Sequence, residues 1–388
     1  MIKIHVLFHD AGGGHRNAAV ALQTICKEQK RPWNVELVQF QELTDHLDVL
    51  KKLTGIQIQE QYNTLLRNGW TLGATQLLRV LQTTIRIFHR PLVKLLANYF
   101  REHPADMLIS VIPHFNRAIS EAWGSVYPGR PFVTLITDLA DFPPRFWIEP
   151  IKEQNVICGT ERAVEQARKI GKADGQIFAT SGMILRPDFY VADQTDVKAL
   201  RRELSLREDL PTGILLFGGF GSKVMYQIAE KIEAAGLPIQ LIVVCGRNGK
   251  LAEKFKAKKW KTPLHVVGFT KEIPRLMRAA DFLIGKPGPG SIAEAMVKGL
   301  PVILECNSWT LPQERFNTEW VKEKRVGIVL HHFTEIVDGV KQMIEPGRLV
   351  EFRKNVLAQN NQAIFEIPEI LDQIHKTAGQ EISVSQVS

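Results

Sequence analysis

Short apolar runs alternate with stretches of helical periodicity along most of this chain. The candidate strands of the first half are IKIHVLF, NVELVQF, DMLISVI, FVTLIT and NVICG, and those of the second half are GILLFGG, IQLIVVCG, LHVVG, DFLIG, PVILE and GIVLH. Strands that are apolar on both faces and separated by helices are typical of parallel sheets covered by helices on both sides. The pattern therefore predicts an α/β protein with two doubly wound parallel sheets.

The repetition of this plan predicts the domain organisation. A first domain over residues 1–185 is followed by a linker over 186–204, which is rich in polar residues, and by a second domain over 205–345. Residues 346–388 are predicted to form a C-terminal helix that returns to the first domain, and a tail. Because ligands of doubly wound sheets bind at the carboxyl ends of the strands, we expect a ligand cleft between the two domains.

Composition limits the cellular location that is expected for the protein. Its four cysteines are far apart and none forms a CxxC pair, so neither a zinc site nor a disulfide framework is expected. The first residues pass directly into a strand pattern, which predicts no signal peptide. No apolar run approaches the roughly 20 residues that a membrane-spanning helix needs. We expect a cytoplasmic protein that meets a membrane only at its inner surface.

Most of the net positive charge of the chain is concentrated in one segment, residues 51–101. It contains eight basic residues and the single acidic residue Glu60, whereas the whole chain has a net charge of +8. One interpretation is an amphipathic segment that binds an anionic membrane surface. The other is a helical insertion with an ordinary core face and a solvated basic face. The first interpretation assigns membrane contact to Trp70, Arg79, Arg86, Phe88 and Arg90.

A glycine-rich turn, HDAGGGHRNAAVAL, follows the first strand. The dinucleotide pattern GxGxxG fails at Asn17, and the phosphate-loop pattern GxxxxGK is absent. A turn through Gly13 and Gly14 would bring the backbone close to a ligand and project His15 from a helix N-terminus. The positive end of that helix would keep the imidazole neutral, as a general base requires; a structural role for His15 is the alternative.

A second turn lies in DFLIGKPGPGSIAEAMVKGLPVILE, which has the order strand, turn, helix, strand. The helix would open at Gly288, Pro289, Gly290 and Ser291, with backbone N–H groups directed at a phosphate. Glu294, one helical turn later, is placed to accept hydrogen bonds from a ribose. The next loop, PQERFN, offers Gln313, Glu314 and Asn317 to a hydroxyl-rich ligand. The two loops together predict a sugar-nucleotide site.

These motifs carry a resemblance to a known family. The combination of GGGHRNAA, TDL followed by proline and aromatic residues, VVCGRNGKL, GKPGPGSIAEAMVKGLPVIL and PQERFN resembles the monogalactosyldiacylglycerol synthases, glycosyltransferases of family 28. That family is related to the processive diacylglycerol glucosyltransferases and to the N-acetylglucosaminyltransferase that forms lipid II. The resemblance covers most of residues 1–345 and weakens within 51–101.

The resemblance implies a GT-B fold, in which the first Rossmann-like domain binds the acceptor and the second binds the nucleotide sugar. It implies that His15 is the base and that Phe269 lies where backbone groups read the uracil. The implied donor-binding residues are Gly218, Gly219 and Gly221 in a further glycine loop, Gly288, Gly290 and Ser291 at the diphosphate, Glu294 at the ribose, and Gln313, Glu314 and Asn317 near the sugar. The chain departs from the family at Phe220, Ser222 and Ile112.

The implied reaction is an inverting transfer of galactose or glucose from a uridine diphosphate sugar to 1,2-diacylglycerol. No DxD sequence for a metal is present, so neither a metal nor a cofactor is expected, and the helix start at Ser291 would offset the diphosphate charge. Asp138 would orient His15, touch the acceptor or cap a helix, and Trp147 would line the acceptor side or be buried. Expected partners are the UDP-hexose, the lipid acceptor and an anionic membrane surface, with no nucleic acid. The alternatives are a polyprenyl-linked or soluble glycan acceptor, or a nucleotide-sugar epimerase or binding protein.

Overall fold

The computed structural model describes residues 1–9, 13–45, 85, 87–192 and 194–385. It divides into two compact units, which are described separately. The first unit contains Met1–Pro187 and Gln362–Ser388, and the second contains Asp188–Asn361.

The first unit is built on a sheet of six parallel strands in the order β2-β1-β3-β4-β5-β6. The strands are β1 (Ile2–Phe8), β2 (Trp33–Gln39), β3 (Met107–Ser110), β4 (Phe132–Leu135), β5 (Gln154–Cys158) and β6 (Ile177–Ala179). The helices between them are α1 (Gly14–Glu28), α2 (Phe40–Asp45), α3 (His89–Glu102), α4 (Asn116–Val126) and α5 (Glu161–Lys169). Only β6 was not predicted, because it is a partly exposed edge strand of three residues without a continuous apolar run.

The second unit repeats the design with the strand order β12-β11-β10-β7-β8-β9, again all parallel. Its strands are β7 (Thr212–Leu216), β8 (Gln240–Val244), β9 (Leu264–Val267), β10 (Phe282–Gly285), β11 (Val302–Glu305) and β12 (Gly327–Leu330). Its helices are α6 (Val197–Glu203), α7 (Val224–Ala234), α8 (Gly249–Ala257), α9 (Ile273–Ala279), α10 (Pro289–Val297), α11 (Pro312–Glu323), α12 (Ile336–Ile344) and α13 (Arg348–Leu357). The last helix of the chain, α14 (Ala363–Ser385), belongs to the first unit.

Both faces of the second sheet are covered by helices. Leu215 of β7 packs in one apolar cluster with helices α7 and α12. Its neighbours Ile214 and Leu216 pack in another cluster on the opposite face, because successive side chains of a strand point to opposite sides. The predicted α/β class with two doubly wound parallel sheets is confirmed.

Residues 186–204, which the sequence analysis interpreted as a linker, contain helix α6 of the second unit. The Asp196 carboxylate caps this helix by accepting hydrogen bonds from the backbone N–H groups of Lys198 and Ala199. Leu200 is completely buried, and the Arg201 guanidinium donates to Asp281 Oδ2 at 2.6 Å. The segment is thus packed against the second unit from Asp188 onwards.

The chain leaves the second unit after Asn361, later than the predicted boundary at position 346. Helix α13 buries Phe352 and Val356 in the apolar clusters of the second unit. Helix α14 is held in the first unit, where the Glu366 carboxylate accepts a hydrogen bond from the backbone N–H of Ser181 at 2.8 Å. Arg31 also forms an ion pair with Glu369.

Candidate functional site

His15 lies just beyond the carboxyl end of β1, in the first turn of α1. The residue before the helix, Gly13, has φ = 86°, a left-handed conformation that glycine adopts without strain. His15 Nδ1 lies 3.1 Å from the hydroxyl oxygen of Thr137, which follows β4. Burial, assisted by the nearby His9, lowers the pKa of His15 to about 3. The imidazole is therefore neutral at physiological pH, as a proton acceptor must be. Gly14 is exposed beside it, and Gly12 lies outside the described residues.

Trp147 and Asp138 form the buried support of this histidine. The Trp147 ring is completely buried, and its centroid is 5.7 Å from that of the His15 ring. Its indole N–H donates to Asp138 Oδ2 at 2.9 Å. Asp141 fixes the same loop, because its carboxylate accepts hydrogen bonds from the backbone N–H groups of Arg145 and Trp147. Trp147 is thus a buried residue that supports His15, and it does not face an acceptor.

Two further histidines accompany His15 at this edge of the sheet. Burial lowers the pKa of both His9 and His114 to about 4. The His9 ring packs between Phe40 and Phe115, with centroid distances of 5.2 and 5.8 Å. The site in the first unit therefore contains three neutral imidazole groups, and the carboxylates of Asp138 and Asp141 are held by hydrogen bonds around Trp147.

The described end of the basic segment is part of an amphipathic helix, α3. Leu92, Leu96 and Phe100 are buried in the core of the first unit, so these apolar residues do not contact a membrane. Phe88 is half-buried at the start of the helix, and Arg90 is exposed. The other residues predicted at the membrane, Trp70, Arg79 and Arg86, lie outside the described residues. Among the described residues, no helix is long and apolar enough to cross a bilayer.

In the second unit, two glycine loops meet at the carboxyl ends of β7 and β8. A Cβ atom added to Gly246 would lie 2.3 Å from the carbonyl oxygen of Gly219, and one added to Gly221 would lie 2.6 Å from that of Cys245. The backbone N–H of Arg247 donates to the Gly219 carbonyl at 2.8 Å. These approaches require glycine, and the left-handed φ values of 73° at Gly218 and 58° at Gly221 require it as well.

An arginine and two phenylalanines are exposed on these loops. Phe269, after β9, is 60% exposed, and Phe220 is 39% exposed. The guanidinium carbon of Arg247 lies 5.1 Å from the Phe269 ring centroid and 5.9 Å from that of Phe220, within cation–π range. Arg247 was not among the predicted site residues. It directly follows the run IQLIVVCG that contains β8, and its position next to a second glycine turn could have indicated a role in the site.

The predicted phosphate turn begins helix α10. Gly288 is its N-cap and Pro289 its first residue, so the N–H groups of Gly290 and Ser291 belong to the first turn, which lacks intrahelical acceptors. The Ser291 hydroxyl donates to the Gly288 carbonyl at 3.1 Å. Glu294 is half-buried one turn later. This turn therefore has the geometry of the helix N-termini at which anions bind in other proteins.

The residues PQERFN, which were predicted to form a loop, begin helix α11 after β11, and they contribute mainly support to this turn. Asn317 is completely buried, and its side-chain amide donates to the Pro287 carbonyl at 2.8 Å. This contact places Asn317 behind the turn, where it holds the backbone of Pro287. Glu314 is only 9% exposed and accepts a hydrogen bond from Lys286 Nζ at 3.1 Å. Gln313 is half-buried beside it.

Two site residues, Lys286 and Thr137, were not predicted from the sequence. Lys286 stands directly after β10 in the predicted turn motif, and a lysine at a strand end before a phosphate turn was the available signal. Thr137 precedes Asp138 in the same TDL motif, but nothing local indicates that its hydroxyl, and not the neighbouring carboxylate, meets His15.

Comparison with known proteins identifies related chains and folds. Residues 214–319 match the family model of the glycosyltransferase family 28 C-terminal domain. The chloroplastic monogalactosyldiacylglycerol synthase of Spinacia oleracea is 31% identical over 409 aligned positions, which cover 100% of this chain and 74% of that protein. The crystal structure of MurG from Acinetobacter baumannii superposes with a TM-score of 0.60 at 12% identity, over 96% of this chain and 99% of that chain. That of HepE from Anabaena in complex with UDP gives a TM-score of 0.52 at 15% identity, over 99% and 100% of the chains. These likenesses show the GT-B fold.

His114→Asn is expected to weaken the effect of acid on stability. Burial lowers the pKa of His114 from the ordinary 6.5 to about 4, so between these values the unfolded chain binds the additional proton. The free energy of unfolding therefore falls as the pH falls through this window. Asparagine does not titrate there and tolerates the residue's φ of 69°.

Urea denaturation at pH 7 and pH 5 measures this effect. The variant should lose less stability than the wild type over that interval, by about 1–2 kcal/mol. His331→Asn, at an exposed position of the second unit, serves as the control and should match the wild type. An identical loss in His114→Asn and wild type would contradict the assignment.

Proposed function

Because the chain belongs to the monogalactosyldiacylglycerol synthase family of glycosyltransferases, we propose that it transfers a hexose from a uridine diphosphate sugar to 1,2-diacylglycerol. The hexose is galactose or glucose, and inversion at the anomeric carbon gives a β-glycosyldiacylglycerol. The observation that carries the proposal is the phosphate turn at Gly288–Ser291, followed by Glu294, inside the region that matches the family 28 domain.

The second unit is proposed to bind the donor. The N–H groups at the start of α10 and the glycine loop after β7 would receive the diphosphate, because a helix N-terminus carries a partial positive charge. Glu294 would accept hydrogen bonds from the ribose hydroxyls. Phe269, exposed after β9, would lie beside the uracil. The Anabaena HepE structure is a complex with UDP, which is consistent with this choice of nucleotide.

The first unit is proposed to activate the acceptor. His15 would take the proton of the acceptor hydroxyl as its oxygen bonds to the anomeric carbon, while the bond from that carbon to the diphosphate breaks. The low pKa keeps the imidazole unprotonated at neutral pH, and the hydroxyl of Thr137 holds it in place. Because such an imidazole is a weak base, the proton moves in concert with formation of the new bond.

A membrane surface is proposed as the source of the acceptor. The segment over residues 51–101 has a net charge of +7, and each basic residue near an anionic surface contributes about 1 kcal/mol. In its described part, Arg90, Lys94 and Arg101 are exposed along α3. The lipid product in the name of the spinach relative supports the same choice of acceptor.

His15→Ala is expected to keep UDP binding and to lose hexose transfer by about 10²–10⁴-fold, the usual contribution of a positioned base. Transfer is measured with radiolabelled UDP-sugar and diacylglycerol, and UDP binding by calorimetry. His103→Ala removes an exposed histidine of the same unit and should retain full activity. Transfer by His15→Ala at the wild-type rate would leave His15 a packing residue.

Glu294→Ala is expected to weaken UDP binding by about 1.5–3 kcal/mol, because two hydrogen bonds to a carboxylate are lost. Calorimetry measures the affinity, and thermal unfolding checks that the fold is retained. Glu323→Ala, at an exposed glutamate of α11, is the matched control. An unchanged affinity in Glu294→Ala would remove this residue from the site.

Replacing Arg79, Arg86 and Arg90 by glutamate is expected to abolish sedimentation with vesicles of phosphatidylglycerol and phosphatidylcholine at low salt. UDP affinity should remain, because the donor is assigned to the other unit. The control reverses three exposed charges of the second unit, at Lys231, Lys322 and Lys341. If the triple arginine variant still sediments, or if the wild type never does, the basic segment is a solvated face.

A further inference from the structure

Lys286 stands where the glycine loop after β7 and the phosphate turn meet. It follows Gly285, the last residue of β10, which pairs with Leu216 at the end of β7. A Cβ atom added to Gly218 would lie 3.8 Å from Lys286 Cε, and one added to Gly288 would lie 3.6 Å from the same atom. The lysine stem therefore runs between the two loops that are proposed to receive the diphosphate.

Other polar side chains surround the same point. The added Cβ atom at Gly288 would also lie 3.4 Å from Ser291 Oγ and 3.8 Å from Glu314 Oε1. An ammonium group, a hydroxyl and a carboxylate thus converge on the first residues of α10. The Lys286 side chain remains 43% exposed, whereas that of Glu314 is 11% exposed. The cation can reach a ligand, and the carboxylate lies behind it.

We propose that Lys286 binds the diphosphate of the donor and stabilises the leaving group, and that Glu314 is the residue that positions it. This proposal rests on the donor site assigned above. As the bond between the anomeric carbon and the phosphate oxygen breaks, its electron pair remains on that oxygen. The helix N-terminus supplies only about half a unit charge there. Lys286 supplies a full one, and no proton needs to be transferred to the leaving group.

The position of Glu314 follows from its burial. A nearly buried carboxylate is costly unless it is paired, and Lys286 Nζ is its described partner at 3.1 Å. An ammonium group has three N–H donors, so one hydrogen bond to Glu314 leaves two for phosphate oxygens. The carboxylate holds the long lysine side chain in one orientation before the donor arrives, and preorganised charge of this kind is what lowers a barrier. Glu314 thereby acts on the donor through Lys286.

The competing explanation is a purely structural ion pair. The two explanations are distinguished by comparing a ligand that carries phosphate groups with one that carries none. Calorimetry compares the affinities for UDP and for uridine in the wild type and in Lys286→Met, which keeps an apolar stem between the glycine loops. The proposal predicts that UDP affinity falls roughly 10- to 100-fold, the loss of one charge-assisted hydrogen-bonding group, while uridine affinity is unchanged. Lys286→Arg should retain most of the preference for UDP over uridine.

Two further variants refine the comparison. Glu314→Gln keeps the cation but loses the carboxylate that holds it, so its turnover with UDP-sugar should fall more than its UDP affinity does. Lys341→Met removes a lysine that is paired with Asp338 on α12, and it should change neither affinity. Thermal unfolding of each variant shows whether the fold is retained, and Lys286→Arg carries the test if Lys286→Met is unstable.

The outcomes distinguish failure of the donor assignment from failure of the Lys286 proposal. If the wild type binds no UDP, the donor assignment fails, and the Lys286 proposal that rests on it fails with it. If the wild type binds UDP and Lys286→Met binds UDP equally well, or loses UDP and uridine to the same extent, Lys286 is a structural residue and the further proposal is overturned. If Lys286→Arg loses the preference for UDP as completely as Lys286→Met does in a folded protein, a positioned cation is also excluded.

Discussion

The parallel pairing of β7 with β10 is the constraint on which the second unit depends. At its end, Gly285 lies so close to Leu216 that an added Cβ atom would be 2.5 Å from the Leu216 carbonyl oxygen. Only glycine permits this approach, and it brings the loops after the two strands side by side although they are distant in sequence. Lys286 and the turn at Gly288 follow directly from this point. Without the pairing, the lysine, the glycine loop and the helix N-terminus would not share one site.

The first unit uses the same geometry for a different chemistry. Pairing of β1 with β3 creates the corresponding switch point. There the neutral His15 imidazole is held by the Thr137 hydroxyl and supported by the buried Trp147. In the proposed reaction, a neutral imidazole removes a proton, whereas the second unit offers partial and full positive charge to an anionic leaving group. The two sheets thus supply the two electrostatic environments that a transfer of this kind needs.

The sequence was sufficient where structure is determined locally. Strands buried on both faces are recognisable as apolar runs, and the turn at Gly288–Ser291 is encoded by glycine and proline at adjacent positions. Contacts between distant residues could not be read in this way. The pairing of His15 with Thr137 depends on how β1 and β4 are ordered in the sheet, and that of Lys286 with Glu314 depends on where β11 places the next helix. The apolar residues of α3 show a further limit of prediction from sequence, because the same periodicity suits a core face and a membrane face.

The central claim is that this chain moves a hexose from a uridine diphosphate sugar to diacylglycerol with inversion. The most direct test incubates the wild-type protein with UDP-galactose or UDP-glucose and vesicles that contain diacylglycerol, and then determines the anomeric configuration of the lipid product by NMR. The account predicts a β-linked hexosyldiacylglycerol and an equal amount of UDP. An α-linked product would contradict the single displacement, and an epimerised nucleotide sugar without any glycolipid would contradict the proposed function itself.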